Sequence, residues 1–149
     1  MGIAARAIII ENGRLLVMRR NKYGSEYFTL VGGRVNEGET TDQALVREVW
    51  EETGLTVTSA RLVYIEEHPA PYNSQYIYVC EVAPHGPVGL ELSSEEATMN
   101  NYGMNIHQPL WVPLKSFENL PFRTPPLHAA IAQATKKGKF KFPNQPVKL

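Results

Sequence analysis

Glu48, Glu51 and Glu52 stand within five residues of one another in the stretch "GGRVNEGETTDQALVREVWEETGL", residues 32–55. At 3.6 residues per turn they fall within an arc of about 100° on a helix. Leu45, Val46, Val49 and Trp50 are then expected on the opposite, core-facing side. Glu48 and Glu52 are four apart, a like-charge spacing that costs an isolated helix about 0.2–0.5 kcal/mol. Arg47, four residues before Glu51, offsets only part of that repulsion. A hard divalent cation would offset the rest: Mg²⁺ takes oxygen ligands, is held by one or two carboxylates, and completes its octahedron with waters and substrate phosphates. Three glutamates on one helical face are, in most proteins, simply a solvated surface, so the helix alone is weak evidence for a metal.

The elements that must position these acids can be read from the pattern around them. "ARAIII" and "RLLVMRR" flank Glu11-Asn12-Gly13, and an Asn-Gly pair between apolar runs predicts a hairpin. Beyond "EYFTLVGGRV" the period becomes helical. Thr40, with Gln43 three residues on, forms a capping box for a helix ending near Thr53, and Gly54 supplies its stop. "LTVTSARLVYIEE" and "SQYIYVCEV" alternate with period two and predict a second hairpin around the turn-rich "HPAPYN". Residues 84–107 are polar and too long for a simple connection, which predicts a functional loop. "PLWVPL" predicts a last short strand, Pro126 to Lys137 a helix stopped by Gly138, and the remaining "KFKFPNQPVKL" a loose tail. The 149 residues make one domain with a core large enough to need no staples.

The 15 Lys and Arg residues balance the 15 Asp and Glu, so nothing global calls for a nucleic-acid polymer or a membrane. No apolar run approaches a membrane span, and a cytoplasmic location is the expectation. The single cysteine, Cys80, lies in "YIYVCEV" and reads as core packing. His68, His85, His107 and His128 show no metal-like spacing and read as surface or turn residues.

The whole frame changes the weight of the acidic helix. Gly33, Glu39, Arg47-Glu48-Val49, Glu51-Glu52 and Gly54-Leu55 match G-x5-E-x7-R-E-U-x-E-E-x-G-U at every fixed position, where U is aliphatic, and in this the chain resembles the Nudix hydrolases of the MutT-like kind. The resemblance implies an α/β/α sandwich with a central mixed sheet in an α/β (α+β) domain. It implies a Mg²⁺-dependent pyrophosphohydrolase, with Mn²⁺ able to substitute, that cleaves the diphosphate of a nucleoside diphosphate linked to another moiety. Glu48, Glu51 and Glu52 would bind the metal with the carbonyl of Gly32, while Arg47 and Glu39 orient the glutamates. The base would be one of those glutamates, or Glu95 or Glu96 in "LSSEEAT".

Gly32 and Gly33 allow a tight turn and close approach of a ligand. Arg34 directly after them is placed to reach phosphates, and Tyr72 is a candidate substrate contact. Arg19 and Arg20 read as solvated charge, and Tyr76, Tyr78 and Tyr102 fit a sheet face as well as a stacking role. The expected partner is a small nucleotide-like diphosphate, with a homodimer possible by family resemblance. Val31 stands where the family usually has proline before the glycines, which predicts a looser turn but leaves every carboxylate in place. Pro71 resembles a marker of ADP-ribose pyrophosphatases and Tyr72 one of diadenosine polyphosphate hydrolases, so the substrate is left open. The alternative reading is a non-catalytic, nucleotide-sensing module on the same fold.

Overall fold

The computed structural model describes residues 2–69, 73–89 and 105–149. Strands β1 (Ile3–Ile8), β2 (Ile10–Glu11), β3 (Arg14–Lys22) and β4 (Ser25–Arg34) precede helix α1 (Thr41–Thr53). Strands β5 (Val57–Glu66), β6 (Ser74–Val82) and β7 (Asn105–Pro113) follow, then helices α2 (Leu114–Phe117) and α3 (Pro125–Ala134) and strand β8 (Val147–Lys148).

The predicted first turn forms at Asn12 and Gly13, both at positive φ, and joins β2 to β3. The strands run in the order β2-β3-β4-β1-β6-β5-β8, with β7 on β3. The sheet is mixed: β1 pairs parallel with β6 and β5 parallel with β8, while the other pairings are antiparallel. Alternation along β1 divides the core between the two faces. Ala5 and Ala7 pack with Val31, Ala44, Leu45 and Val49 under α1. Ile8 packs with Leu30, Tyr64, Ile77, Phe117, Leu127 and Ile131 under α2 and α3. The sheet therefore lies between helical layers, as the resemblance implies.

Several boundaries differ from the sequence expectation. The strand expected at "PLWVPL" begins four residues earlier, at Asn105, because it pairs with the whole of β3, Lys22 to Arg14. The C-terminal helix ends at Ala134, and Lys136–Gly138 continue as a 3-10 turn with Lys137 at φ 57. The stretch expected as a loose tail contributes β8, which pairs Val147 with Tyr64 and Lys148 with Ile65, and Phe142 meets Tyr64 edge-on with ring centroids 6.4 Å apart. A short parallel pairing leaves too little periodicity to be seen in sequence.

Candidate active site around the Gly32–Gly33 turn

Helix α1 begins as expected. The Thr40 hydroxyl accepts from the Gln43 N–H at 3.1 Å, the Gln43 side chain accepts from the Thr40 N–H at 3.0 Å, and Gly54 closes the helix at φ 80. The orientation of the helix corrects the reading of its faces. Val46 and Trp50, expected in the core, are 43% and 47% exposed, whereas Glu48 and Glu52 are only 8% and 4% exposed. The buried arc runs through Ala44, Leu45, Glu48, Val49, Glu52 and Thr53, so Glu48 and Glu52 share the side turned toward the sheet. Counting apolar residues points the helix toward Trp50; the glycines of β4 instead make room for carboxylates.

That room is specific. A Cβ on Gly33 would lie 2.6 Å from the carboxyl carbon of Glu48, and one on Gly32, at φ +132, would lie 2.1 Å from the Ala5 carbonyl oxygen. The Gly32 N–H donates to Glu52 Oε1 at 2.6 Å. Val31 continues β4 and is fully buried opposite Ala7, so the missing proline leaves the turn anchored in the sheet.

Arg47 ties the other acids together. Its Nε and Nη2 donate to the two oxygens of Glu39 at 2.7 and 3.0 Å, and Nη1 donates to Glu48 Oε1 at 2.9 Å and Glu51 Oε2 at 3.2 Å. Nη2 also donates to the Arg34 carbonyl at 3.0 Å, joining the helix to the end of β4. The Arg47 hydrogen bonds, followed by the Asn36 N–H, hold the Glu39 carboxyl down at about 2, and the bond to Glu39 raises Arg47 in turn. The side chain of Arg34 is exposed beside this clamp.

Sequence reasoning missed a second cation. Arg6 of β1 lies opposite Gly32 in the sheet register and donates from Nη1 to the Gly32 carbonyl at 2.9 Å. Its Nε donates to Gln75 Oε1 at 3.0 Å, and Gln75 Nε2 donates to Glu66 Oε1 at 2.8 Å. Glu66 is 3% exposed; His68 Nε2 lies 3.0 Å from Oε1, and the Thr124 hydroxyl donates to Oε2. Desolvation lowers the pKa of Arg6, while Glu52 and then Glu48 oppose that shift. An arginine in "IAARAIII" resembles any solvated strand position, and only the pairing of β1 with β4 shows what it touches.

Arg6 also feels the charge of Arg20 and the Tyr27 phenol. Arg20, expected as solvated, donates to Asn105 Oδ1 at 2.7 Å and lies 5.5 Å from the centroid of the Tyr27 ring, over which the Arg123 guanidinium also sits, at 3.9 Å. His107, expected at the surface, is buried beside Arg20; burial first and that charge second push it down to about 4, against the Asn105 carbonyl contact.

Tyr72, Glu95 and Glu96 lie outside the described residues, as do Pro71 and Tyr102. Among the described residues no group of three His, Cys, Asp or Glu side chains is already drawn together as a metal site: Glu48 and Glu51 turn to Arg47, and Glu52 to the Gly32 N–H. The donor set is nonetheless of the type a hard cation takes, all carboxylate and carbonyl oxygen, and the missing Cβ of Gly33 clears the space beside Glu48.

Residues 1–134 match the model of the NUDIX domain. An RNA pyrophosphohydrolase of Histophilus somni is 34% identical over 61 residues, 41% of this chain and 32% of that protein. The NAD-capped RNA hydrolase NudC of Chromobacterium violaceum is 24% identical over 131 residues, 87% of this chain and 45% of that protein. The chain thus spans a third to about half of the length of these curated relatives. A NUDIX hydrolase structure from Nitrosomonas europaea superposes with TM-score 0.69 at 19% identity, covering 95% of this chain and 92% of that one, a likeness of fold.

Proposed function

Because the chain belongs to the NUDIX domain family, we propose that it is a divalent-metal-dependent pyrophosphohydrolase acting on a nucleoside diphosphate linked to a further moiety. The observation that carries this reading is the Arg47 clamp, which gathers Glu39, Glu48 and Glu51 beside a Glu52 already fixed to the Gly32 turn. Glu48, Glu51 and Glu52 would hold Mg²⁺ or Mn²⁺ with the Gly32 carbonyl. The ion supplies charge neutralisation at the diphosphate and acidification of the attacking water.

The remaining work belongs to the chain. Arg47 and Glu39 orient the glutamates, since a planar guanidinium fixes carboxylates through paired hydrogen bonds. Arg34 and the Arg20–Arg123 pair attract the phosphates. A glutamate of the helix, or Glu95 or Glu96, accepts the proton of the water, and Tyr72 contacts the moiety beyond the diphosphate. A hollow of about 590 Å³ lined by Ile3, His68, Ser74 and Tyr76 lies next to the Glu66 network, since His68 belongs to both, and can house a nucleoside. The relatives named as an RNA pyrophosphohydrolase and an NAD-capped RNA hydrolase are the reason to test RNA beside small nucleotides.

The test is release of nucleoside monophosphate or phosphate from ADP-ribose, diadenosine polyphosphates, NADH, nucleoside triphosphates and 5′-triphosphate or NAD-capped RNA, with and without Mg²⁺. Metal-dependent release from one of these, lost by orders of magnitude in Glu52→Gln with the fold intact, is expected. Nucleotide binding without release from any of them would instead establish the sensing module.

A further inference from the structure

Gly32 is the residue through which the sheet meets the acids, yet it has no side chain to fix its orientation. Its conformation, φ +132 with the Ala5 carbonyl where a Cβ would be, is one that a residue with a side chain could hold only under strain. Both of its backbone polar atoms are taken by charged side chains from different elements: the N–H by Glu52 of α1 and the carbonyl by Arg6 of β1. Arg6 is held at a second point, because its Nε donates to Gln75 on β6. A guanidinium held at Nη1 and at Nε has its plane fixed, which one bond would not do. Gln75 is anchored in turn by the buried Glu66 on β5, which the Thr124 hydroxyl fixes from its other oxygen. Arg6, Gln75 and Glu66 thus join three neighbouring strands by side chains alone, at the polar margin of the cluster that holds Ile8, Tyr64 and Ile77.

We propose that Arg6, held by Gln75 and Glu66, is a positioning residue that sets the orientation of the Gly32–Gly33 peptide through the Gly32 carbonyl and, through the Gly32 backbone to the preceding peptide's N–H, of the Glu52 carboxylate. The inference rests on the reading of this site as a hydrolase centre, and it assigns to the opposite face of the sheet a part in shaping that centre. Outer hydrogen-bond partners of this kind typically carry about 10–100-fold in metal affinity or activity. A lysine at position 6 would keep the charge near Glu52 and Glu48 while losing the fork. Gln75→Met would keep Arg6 and cut it loose from Glu66.

The experiment compares wild type, Arg6→Lys and Gln75→Met by two readouts. The first, with no metal or substrate present, is the ¹H–¹⁵N resonance and hydrogen-exchange rate of the Gly32 and Gly33 amides. The second is kcat and KM on the substrate found for the wild type. Both variants are expected to shift the two amides, speed exchange of the Gly32 amide about tenfold or more, and lower kcat about 10–100-fold with KM within about threefold. Unperturbed glycine amides in a folded Arg6→Lys, or wild-type kcat in it, would overturn the proposal and leave Arg6 as charge alone. If Arg6→Lys does not fold, Gln75→Met decides by the same two measurements. A wild type that hydrolyses nothing would remove the hydrolase reading, while the amide readout would still decide whether Arg6 orients Gly32.

Discussion

Arg47 makes five hydrogen bonds with one guanidinium, four to carboxylate oxygens and one to the Arg34 carbonyl. Lysine at that position would supply the charge as a single rotatable point and could not span Glu39, Glu48 and Glu51 together. Arg47→Lys is therefore expected to lower kcat about 10–100-fold with an unchanged circular dichroism spectrum; a variant with wild-type kcat would show that charge alone suffices. Because Arg47 holds the Glu39 carboxyl down at about 2, that ion pair stays intact across the range in which an enzyme would be assayed. His107 behaves in the opposite sense. The unfolded chain takes up a proton at this histidine at about pH 6.5, but the folded chain does so only at about 4. Stability thus falls as pH drops between those values and levels off below them, since the unfolded state binds more protons in that window. His107→Gln is expected to flatten that part of the curve, checked by urea midpoints across the window; an unchanged slope would place the titration elsewhere.

At the scale of elements, two adjacent glycines of β4 should fail differently. A Cβ on Gly32 meets backbone, the Ala5 carbonyl at 2.1 Å, at a positive φ; a Cβ on Gly33 meets the flexible end of Glu48. Gly32→Ala is expected to destabilise the fold by several kcal/mol, more than the ~1–3 kcal/mol usual for strained backbone, because a neighbouring strand must also move. Gly33→Ala should fold near the wild-type melting temperature while losing activity, because Glu48 is displaced. Thermal melts beside assays distinguish the two, and equal destabilisation would contradict the contrast. The box, the cap at Thr40 and the stop at Gly54 were legible because each is a local pattern whose physics closes within a few residues. The direction in which α1 faces was legible only in part: Leu45 and Val49 are buried as periodicity expects, but Val46 and Trp50 are not, since the space that buries Glu48 and Glu52 in their place is created by glycines on another element. Arg6, Gln75 and Glu66 were illegible for a related reason: each lies in an ordinary alternating strand, and they meet only through the β1–β6 and β5–β6 registers.

At the scale of the molecule, the centre lies where the two core clusters meet along β1 and β4, whereas β8 covers the far edge of the same sheet beyond β5. The edge of β5 is closed by two residue pairs, by the Leu149 N–H donating to the Ile65 carbonyl at 2.9 Å, and by an exposed ion pair between Lys148 and Glu67. The ion pair contributes little, being open to solvent on both sides. Each backbone hydrogen bond contributes on the order of 1 kcal/mol net. Removal of residues 144–149 leaves Phe142 on Tyr64 and is expected to cost about 1–3 kcal/mol by that measure. It also bares an unpaired strand edge, so concentration-dependent association should appear in light scattering, as exposed edges template further pairing. Turnover per folded molecule should remain within about twofold, because sites that share no partners behave additively. A large loss of kcat in a folded, monomeric truncation would show instead that β5 transmits the order of its outer edge inward through Glu66 and Gln75 to Arg6.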